Sequence, residues 1–248
     1  MSAAPSAFIS CRGLYKSFAG KPVLRGLDLE VARGETLVIL GGSGSGKSVL
    51  LKHMNGLMRP DRGAICVDGE DIGELEEVQL GPIRRKVGML FQMAALFDSM
   101  TVLENVAYPI REAGVAEEGA IRQRVQQLLA VVGLPDTESL MPAELSGGMR
   151  KRAGLARALA LEPRVLLYDE PTTGLDPVVA QKINVLIRHL QERFGLTGVV
   201  VTHDLHAAFF VADRIAFLHD GRIAFSGTPQ DARRSSQPEL REFLEAAA

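Results

Sequence analysis

Cysteine is scarce in this sequence: Cys11 and Cys66 are its whole complement, and neither belongs to a C-x-x-C pair. That excludes a disulfide framework and fits two free thiols in a reducing compartment. Charge of one sign hardly dominates, with 28 basic against 30 acidic residues and a net charge of −2. A dedicated nucleic-acid binder normally carries a basic surplus, so no nucleic-acid partner is expected. Long apolar runs are missing too. The longest, around Val199 to Val201, is strand-sized and far below the ~18 residues of a membrane span. Action at a membrane would therefore need another chain to hold this one there. The N-terminal stretch Met1 to Ala7 lacks a basic and an apolar region, so no signal peptide is expected. No internal repeat and no low-complexity linker is present.

What is there is a chain of 248 residues, 46% hydrophobic and 23% charged, long enough for one large domain or two small ones. Its sharpest feature is Gly41-Gly42-Ser43-Gly44-Ser45-Gly46-Lys47-Ser48, a match to G-x-x-x-x-G-K-[ST]. Before it, Thr36 to Leu40 is a short apolar run, the mark of a strand buried on both faces. After it, Val49, Leu50, Leu51, Met54 and Leu57 keep a helical period until Gly56 and Pro60. Strand, glycine loop and helix form a phosphate cradle. Glycines let successive N–H groups point inward, and the helix N-terminus adds partial positive charge. Lys47 would reach the β- and γ-phosphates and Ser48 would bind Mg²⁺.

Along the chain, Phe8 to Phe18 and Val23 to Val31 read as antiparallel strands around a turn at residues 19–22. Strands are expected at Ala64 to Val67, Val87 to Phe91, Val165 to Tyr168 and Gly198 to Val201, with helices between them, which implies a parallel core sheet. A hairpin is expected from Ile215 to Phe225. Thr228-Pro229-Gln230-Asp231 reads as a helix start. Residues 93–161 differ in character: helices at Val102 to Val106, Ile121 to Val132 and from about Gly148, no strand, and a surface loop at Ala113 to Gly119. The expected domains are thus a P-loop core of residues 1–92 and 162–248 and a helical insertion of residues 93–161.

Two more motifs carry chemistry. Val165 to Tyr168 ends in Asp169-Glu170. An acid at the end of a core strand beside a P-loop supports Mg²⁺, which fits Asp169, and Glu170 could orient or deprotonate an attacking water. The other reading is a strand end capped by solvated charge. Leu145-Ser146-Gly147-Gly148-Met149 opens a helix as a second anion nest. One chain then holds two phosphate cradles and one P-loop lysine, and two chains facing head to tail would set each Ser146 nest over the other's P-loop.

In this order the motifs resemble the nucleotide-binding subunit of an ATP-binding-cassette (ABC) transporter, across almost the whole chain. The resemblance implies an α/β P-loop NTPase (RecA-like) core, an N-terminal antiparallel β subdomain and an α-helical subdomain. Gly41 to Ser48 match Walker A, Leu166 to Glu170 match Walker B, and Leu145 to Met149 match the signature, with Met149 where Gln is usual. Gln92 matches the Q-loop, Gly174-Leu175-Asp176 the D-loop and His203 the switch histidine. Phe18 stands where an aromatic ring stacks on adenine, although Tyr15 is close enough to compete. The resemblance implies ATP and Mg²⁺, with Gln92 in the metal and water shell, His203 donating to the γ-phosphate, and Asp176 meeting the opposite subunit of a homodimer.

The stretches 88–102, 104–109 and 140–152 are similar to the ATPases of Mla (maintenance of lipid asymmetry) and Mce-type lipid transporters. This implies permease subunits, an MCE-domain lipid-binding protein and a peripheral site on the cytoplasmic face of a bacterial inner membrane. The alternatives are the ATPase of an importer for another small substrate and a soluble DNA- or ribosome-associated ABC ATPase. Met93, Leu96, Phe97, Met100, Val102 and Tyr108 could supply an apolar docking surface or fill a local core. The closing segment Pro238 to Ala248 could dock on its own subunit or on its dimer mate.

Overall fold

The computed structural model describes residues 7–114 and 116–246. The segment read for a leader, except Ala7, lies outside that range, as do Val115 of the expected loop and the last two residues of the closing segment. Strands Ala7–Phe18 (β1) and Lys21–Ala32 (β2) pair antiparallel. Their turn is tighter than the sequence suggests, just Ala19 and Gly20, both with positive φ (47° and 77°). That is the twist a two-residue hairpin needs, and Pro22 already lies at the start of β2.

Arg62–Val67 (β4) joins this sheet rather than the parallel core that its place in the sequence suggests, with Ile9 opposite Val67 and Cys11 opposite Ile65. Its burial explains why. Ile65 and Val67 are buried while Ala64 and Cys66 are only partly so, a one-sided pattern suited to an antiparallel sheet. Glu70–Asp71 (β5) completes the order β2-β1-β4-β5.

Thr36–Leu40 (β3) is buried at all five positions and lies inside a second, six-stranded sheet. With Val87–Leu90 (β6), Val165–Asp169 (β7), Thr197–Thr202 (β8), Arg214–His219 (β9) and Arg222–Gly227 (β10), the order is β10-β9-β3-β8-β7-β6. All pairings in it are parallel except β9 with β10. Alternate residues feed two cores. Leu37, Ile39, Leu167 and Val199 pack with the antiparallel sheet and the helix Lys47–Met54 (α1). Val38, Leu40, Leu166 and Val200 pack under the helices of the other face.

Between β6 and β7 the described residues contain no strand. They form Val102–Ala113 (α3), Glu118–Val131 (α4) and Gly147–Ala158 (α5), after Leu80–Lys86 (α2) in the preceding segment. Helix α3 starts from a Thr101/Glu104 capping box and runs on past Val106 with Pro109 inside it. The sequence reading ends this helix at Val106, and a proline at an interior helical position is costly. Packing of Val106, Ala107 and Ile110 into the core outweighs that cost. Pro177–Phe194 (α6), Leu205–Val211 (α7), Pro229–Arg234 (α8) and Pro238–Ala246 (α9) complete the chain, and Thr228 caps α8 with Asp231 as expected. Helix α9 docks on its own subunit: Leu240 is fully buried and the Phe243 ring lies 5.2 Å from that of Phe217.

Candidate active site

The parallel register brings distant motifs to one edge. Leu40 pairs with Thr202, and Asp169 pairs with Val201, so β3, β7 and β8 end together. Ligands of open α/β sheets gather at this edge. Two glycines shape the loop after β3. Gly46 sits at the cap of α1 with φ 105°, and a Cβ on Gly41 would lie 2.6 Å from the Leu218 carbonyl oxygen. No side chain caps α1 and no acid lies in its first turn, which leaves its N-terminus suited to an anion. Gly42, Ser43 and Gly44 are exposed, while Ser45 is half-buried.

Lys47 is buried, and its Nζ donates to the carbonyls of Gly41 (2.8 Å) and Gly42 (3.0 Å) while lying 3.7 Å from Glu170 Oε1. Burial pulls the ammonium below its usual range, and Glu170 and Asp169 oppose that pull. The Ser48 hydroxyl donates to Asp169 Oδ1 at 2.7 Å. Glu170 is buried with φ 47°, a left-handed backbone that costs about 1–2 kcal/mol for a residue with a Cβ. Its N–H donates to the Val201 carbonyl (3.0 Å), and Oε2 accepts from the Thr173 hydroxyl (3.0 Å). His203 Nδ1 lies 3.1 Å from Glu170 Oε1, and its ring is largely exposed. The sequence-chosen Lys47, Ser48, Asp169, Glu170 and His203 are therefore brought together.

Gln92 follows β6 on an exposed turn. Its backbone carbonyl accepts from Lys151, a buried lysine of α5 that also donates to the Glu170 carbonyl at 3.1 Å. Lys151 went unrecognised in the sequence. Nothing in Met149-Arg150-Lys151-Arg152 marks its third member for burial, which comes only from closure against two distant loops. Thr173 is a further miss that no sequence signal marks.

The remaining residues lie around this group. Ser146 is exposed at the N-cap of α5, its hydroxyl accepting from Met149 N–H at 3.3 Å. Among the described residues it makes no hydrogen bond to residues 41–48. Gly147 and Gly148 pack on Leu175 and Val179, where added Cβ atoms would lie 3.2 and 2.4 Å away, so the signature and D-loop form one surface. Asp176 caps α6, its Oδ1 accepting from Val178 N–H (3.1 Å) and Val179 N–H (3.0 Å). Phe18 is exposed at the end of the first hairpin. Val23, on the opposing strand, lies 3.1 Å from a Cβ built on Gly46, which sets the hairpin end beside the P-loop. Tyr15 instead lays its ring across Gly26, its hydroxyl 2.7 Å from a Cβ built there.

Two hard oxygen donors, Ser48 Oγ and Asp169 Oδ1, stand side by side. Among the described residues no three His, Cys, Asp or Glu side chains form a metal cage. That donor set fits Mg²⁺, which keeps waters and takes most of its remaining ligands from phosphates.

Of the six docking residues, Val102 is fully buried and belongs to the core, while Leu96 and Met100 are half-buried. Met93, Phe97 and Tyr108 remain exposed (85%, 43% and 36%). Phe97 and Tyr108 have ring centroids 5.1 Å apart and line a groove of about 480 Å³ with Arg84, Phe91 and Arg157. Buried Asn105 fixes its rim, accepting from Phe97 N–H and donating to the carbonyls of Phe97, Met100 and Thr101. Among the described residues no helix is long and apolar enough to cross a membrane.

Residues 24–173 match the family model described as ABC transporter. The chain is 43% identical over 236 residues to the probable ribonucleotide transport ATP-binding protein mkl of Mycobacterium tuberculosis, covering 95% of this chain and 66% of that protein. It is 42% identical over 225 residues to the methionine import ATP-binding protein MetN of Brucella abortus, covering 91% and 61%. The chain thus spans about two thirds or less of the length of these relatives. Among solved structures it resembles the dimeric post-hydrolysis state of the ATP-binding cassette MJ0796 bound to ADP and Pi (TM-score 0.82, 34% identity, 89% of this chain and 98% of that one). It also resembles cbiO1 from Clostridium perfringens, part of the ABC transporter complex cbiONQ (TM-score 0.83, 28% identity, 98% and 99%).

Proposed function

This chain belongs to the ABC transporter family, and we propose that it is the ATP-hydrolysing subunit of a bacterial lipid transporter, working as a head-to-tail homodimer beneath a separate membrane permease. The observation that carries the dimer is Ser146: exposed, at a glycine-flanked helix N-terminus, and without a hydrogen bond to its own P-loop among the described residues. A similar cassette has been solved as a dimer with ADP and Pi.

In this reading ATP lies between the P-loop of one copy and Ser146, Gly147 and Gly148 of the other. The N–H groups of residues 41–46 and the Lys47 ammonium hold the phosphates, with Lys47 exchanging its loop carbonyls for phosphate oxygens. Ser48, Asp169 and Gln92 would hold Mg²⁺, which when bound neutralises charge on the transferring phosphate. Glu170, aligned by Thr173 and His203, orients the water and accepts its proton, while His203 also donates toward the γ-phosphate. Phe18 offers a flat face to the base, and Asp176 meets the partner across the D-loop while capping its own helix. Product release removes the charge that holds the halves together.

Residues 93–161 act as one helical unit moving against the core of residues 1–92 and 162–248. The groove beside Phe97, Tyr108 and Arg157 receives the permease, and Met93 adds a flexible apolar contact. Lipid as cargo rests on the sequence stretches 88–102, 104–109 and 140–152, and it implies an MCE-domain partner and a peripheral place on the cytoplasmic face of the inner membrane. Import of another small solute is favoured by the names of the mycobacterial and Brucella relatives. Purification of the chain with its permease, followed by mass spectrometry of bound small molecules, separates these readings. Phospholipid and an MCE-domain protein support lipid transport, a polar solute overturns it, and nucleic acid or ribosomes overturn transport altogether.

A further inference from the structure

Helix α5 does more than present Ser146. One turn beyond its N-terminus, Lys151 is 5% exposed, and its ammonium bridges two backbone carbonyls, those of Gln92 and Glu170. Among the described residues no carboxylate lies within ion-pairing distance of it, so the two carbonyls take its hydrogen bonds while the more distant Asp169 and Glu170 charges oppose its desolvation. Both acceptors belong to irregular backbone. Glu170 is left-handed (φ 47°), and Gln92 leads into two successive left-handed alanines, Ala94 (φ 60°) and Ala95 (φ 51°). The same helix grips that segment twice more. Arg157 Nη2 donates to the Ala94 carbonyl at 2.9 Å, and Gly154 lets the helix approach so closely that a Cβ there would lie 3.1 Å from that oxygen. Strained backbone of this kind persists only where its surroundings over-determine it.

We propose that Lys151 is a positioning residue through which each nucleotide site of the dimer senses the other. The end of α5 that carries Ser146 serves the partner's ATP, and Lys151 on the same rigid helix sets Gln92 and Glu170 of its own site. A shift of α5 on engaging the partner's nucleotide then moves the water-orienting glutamate directly. This inference rests on the head-to-tail dimer.

The test is steady-state ATPase kinetics of the full chain, native and with Lys151→Met or Lys151→Arg, beside direct binding of a fluorescent ATP analogue. Lys151→Met keeps nucleotide affinity within about twofold, lowers kcat about tenfold and brings the Hill coefficient for ATP to unity, while Lys151→Arg restores most of kcat and the cooperativity. A thermal melt confirms folding, and if the Met variant does not fold, Lys151→Gln takes its place with the same expectation. The proposal is overturned if kcat and the Hill coefficient are unchanged, if affinity falls in step with kcat, or if the native Hill coefficient is already unity. A parallel Ser146→Ala chain keeps the two ideas apart. If it loses turnover while Lys151→Met does not, the dimer stands and the link fails; if it turns over ATP normally, the dimer itself fails.

Discussion

The hydroxyl of Ser48 and the carboxylate of Asp169 are joined by a 2.7 Å hydrogen bond, although one follows the P-loop and the other ends β7. The pair proposed to hold Mg²⁺ is thus preassembled by the fold. Ser48→Ala removes one hard oxygen and leaves the Asp169 contact unmade. Calorimetry should show ATP affinity falling at least about tenfold with Mg²⁺ present and changing little in chelator.

Glu170→Gln keeps the size and the Thr173 contact but removes the proposed base. Turnover should fall by roughly 10²–10⁴, the range for a positioned general base, with ATP still bound. Size-exclusion chromatography should then show a dimer that persists with ATP. Native turnover in this variant would remove Glu170 from the chemistry.

Asp68 is held below the usual carboxylate range by hydrogen bonds from Arg33 and Lys86. A carboxyl whose folded pKa is depressed stabilises the protein fully above its unfolded value, about 3.9, and loses that contribution as pH falls through the folded value. Asp68→Asn should lower Tm at neutral pH, and the two melting curves should converge as the solution is acidified below about 3.9.

Burial pushes the Cys11 thiol up to about 12. At mildly alkaline pH almost no thiolate exists there, so maleimide should modify Cys11 only after denaturation. Peptide mapping of label in native and unfolded protein checks this, and rapid native labelling at Cys11 would contradict the burial.

Leu240 is fully buried where α9 meets the core. Leu240→Ala should cost about 2–5 kcal/mol, and for a chain of this size each kcal/mol lowers Tm by roughly 2–4 °C. Because the contact lies within one subunit, the loss should not depend on protein concentration, and a concentration-dependent loss would place α9 at the dimer interface instead.

Much of the site was legible because its chemistry has fixed spacing. The loop from Gly41 to Ser48 and the acids after Tyr168 stand out, and β3 shows its double burial as an unbroken apolar run. Less was legible where the decision is tertiary. Arg62–Val67 carries a half-buried alternation that a four-residue window hides, so its place on β1 emerges only from the pairing. Asp176 caps α6, and the Asp-Pro that starts that helix already announces the cap. Lys151 could not be found at all. Nothing marks a lysine among arginines on a helix for burial until two loops from elsewhere fold over it.

Strand β3 has a consequence for how this protein is made. Its hydrogen-bonding neighbours are β8 and β9 alone, both from the far end of the chain. On the ribosome the apolar strand and its glycine loop emerge early and wait, unpaired, until Thr197 to His219 have been synthesised, a sticky segment of the sort chaperones shield. Prematurely terminated copies ending before Arg214 leave the β9 edge of that strand without its partner.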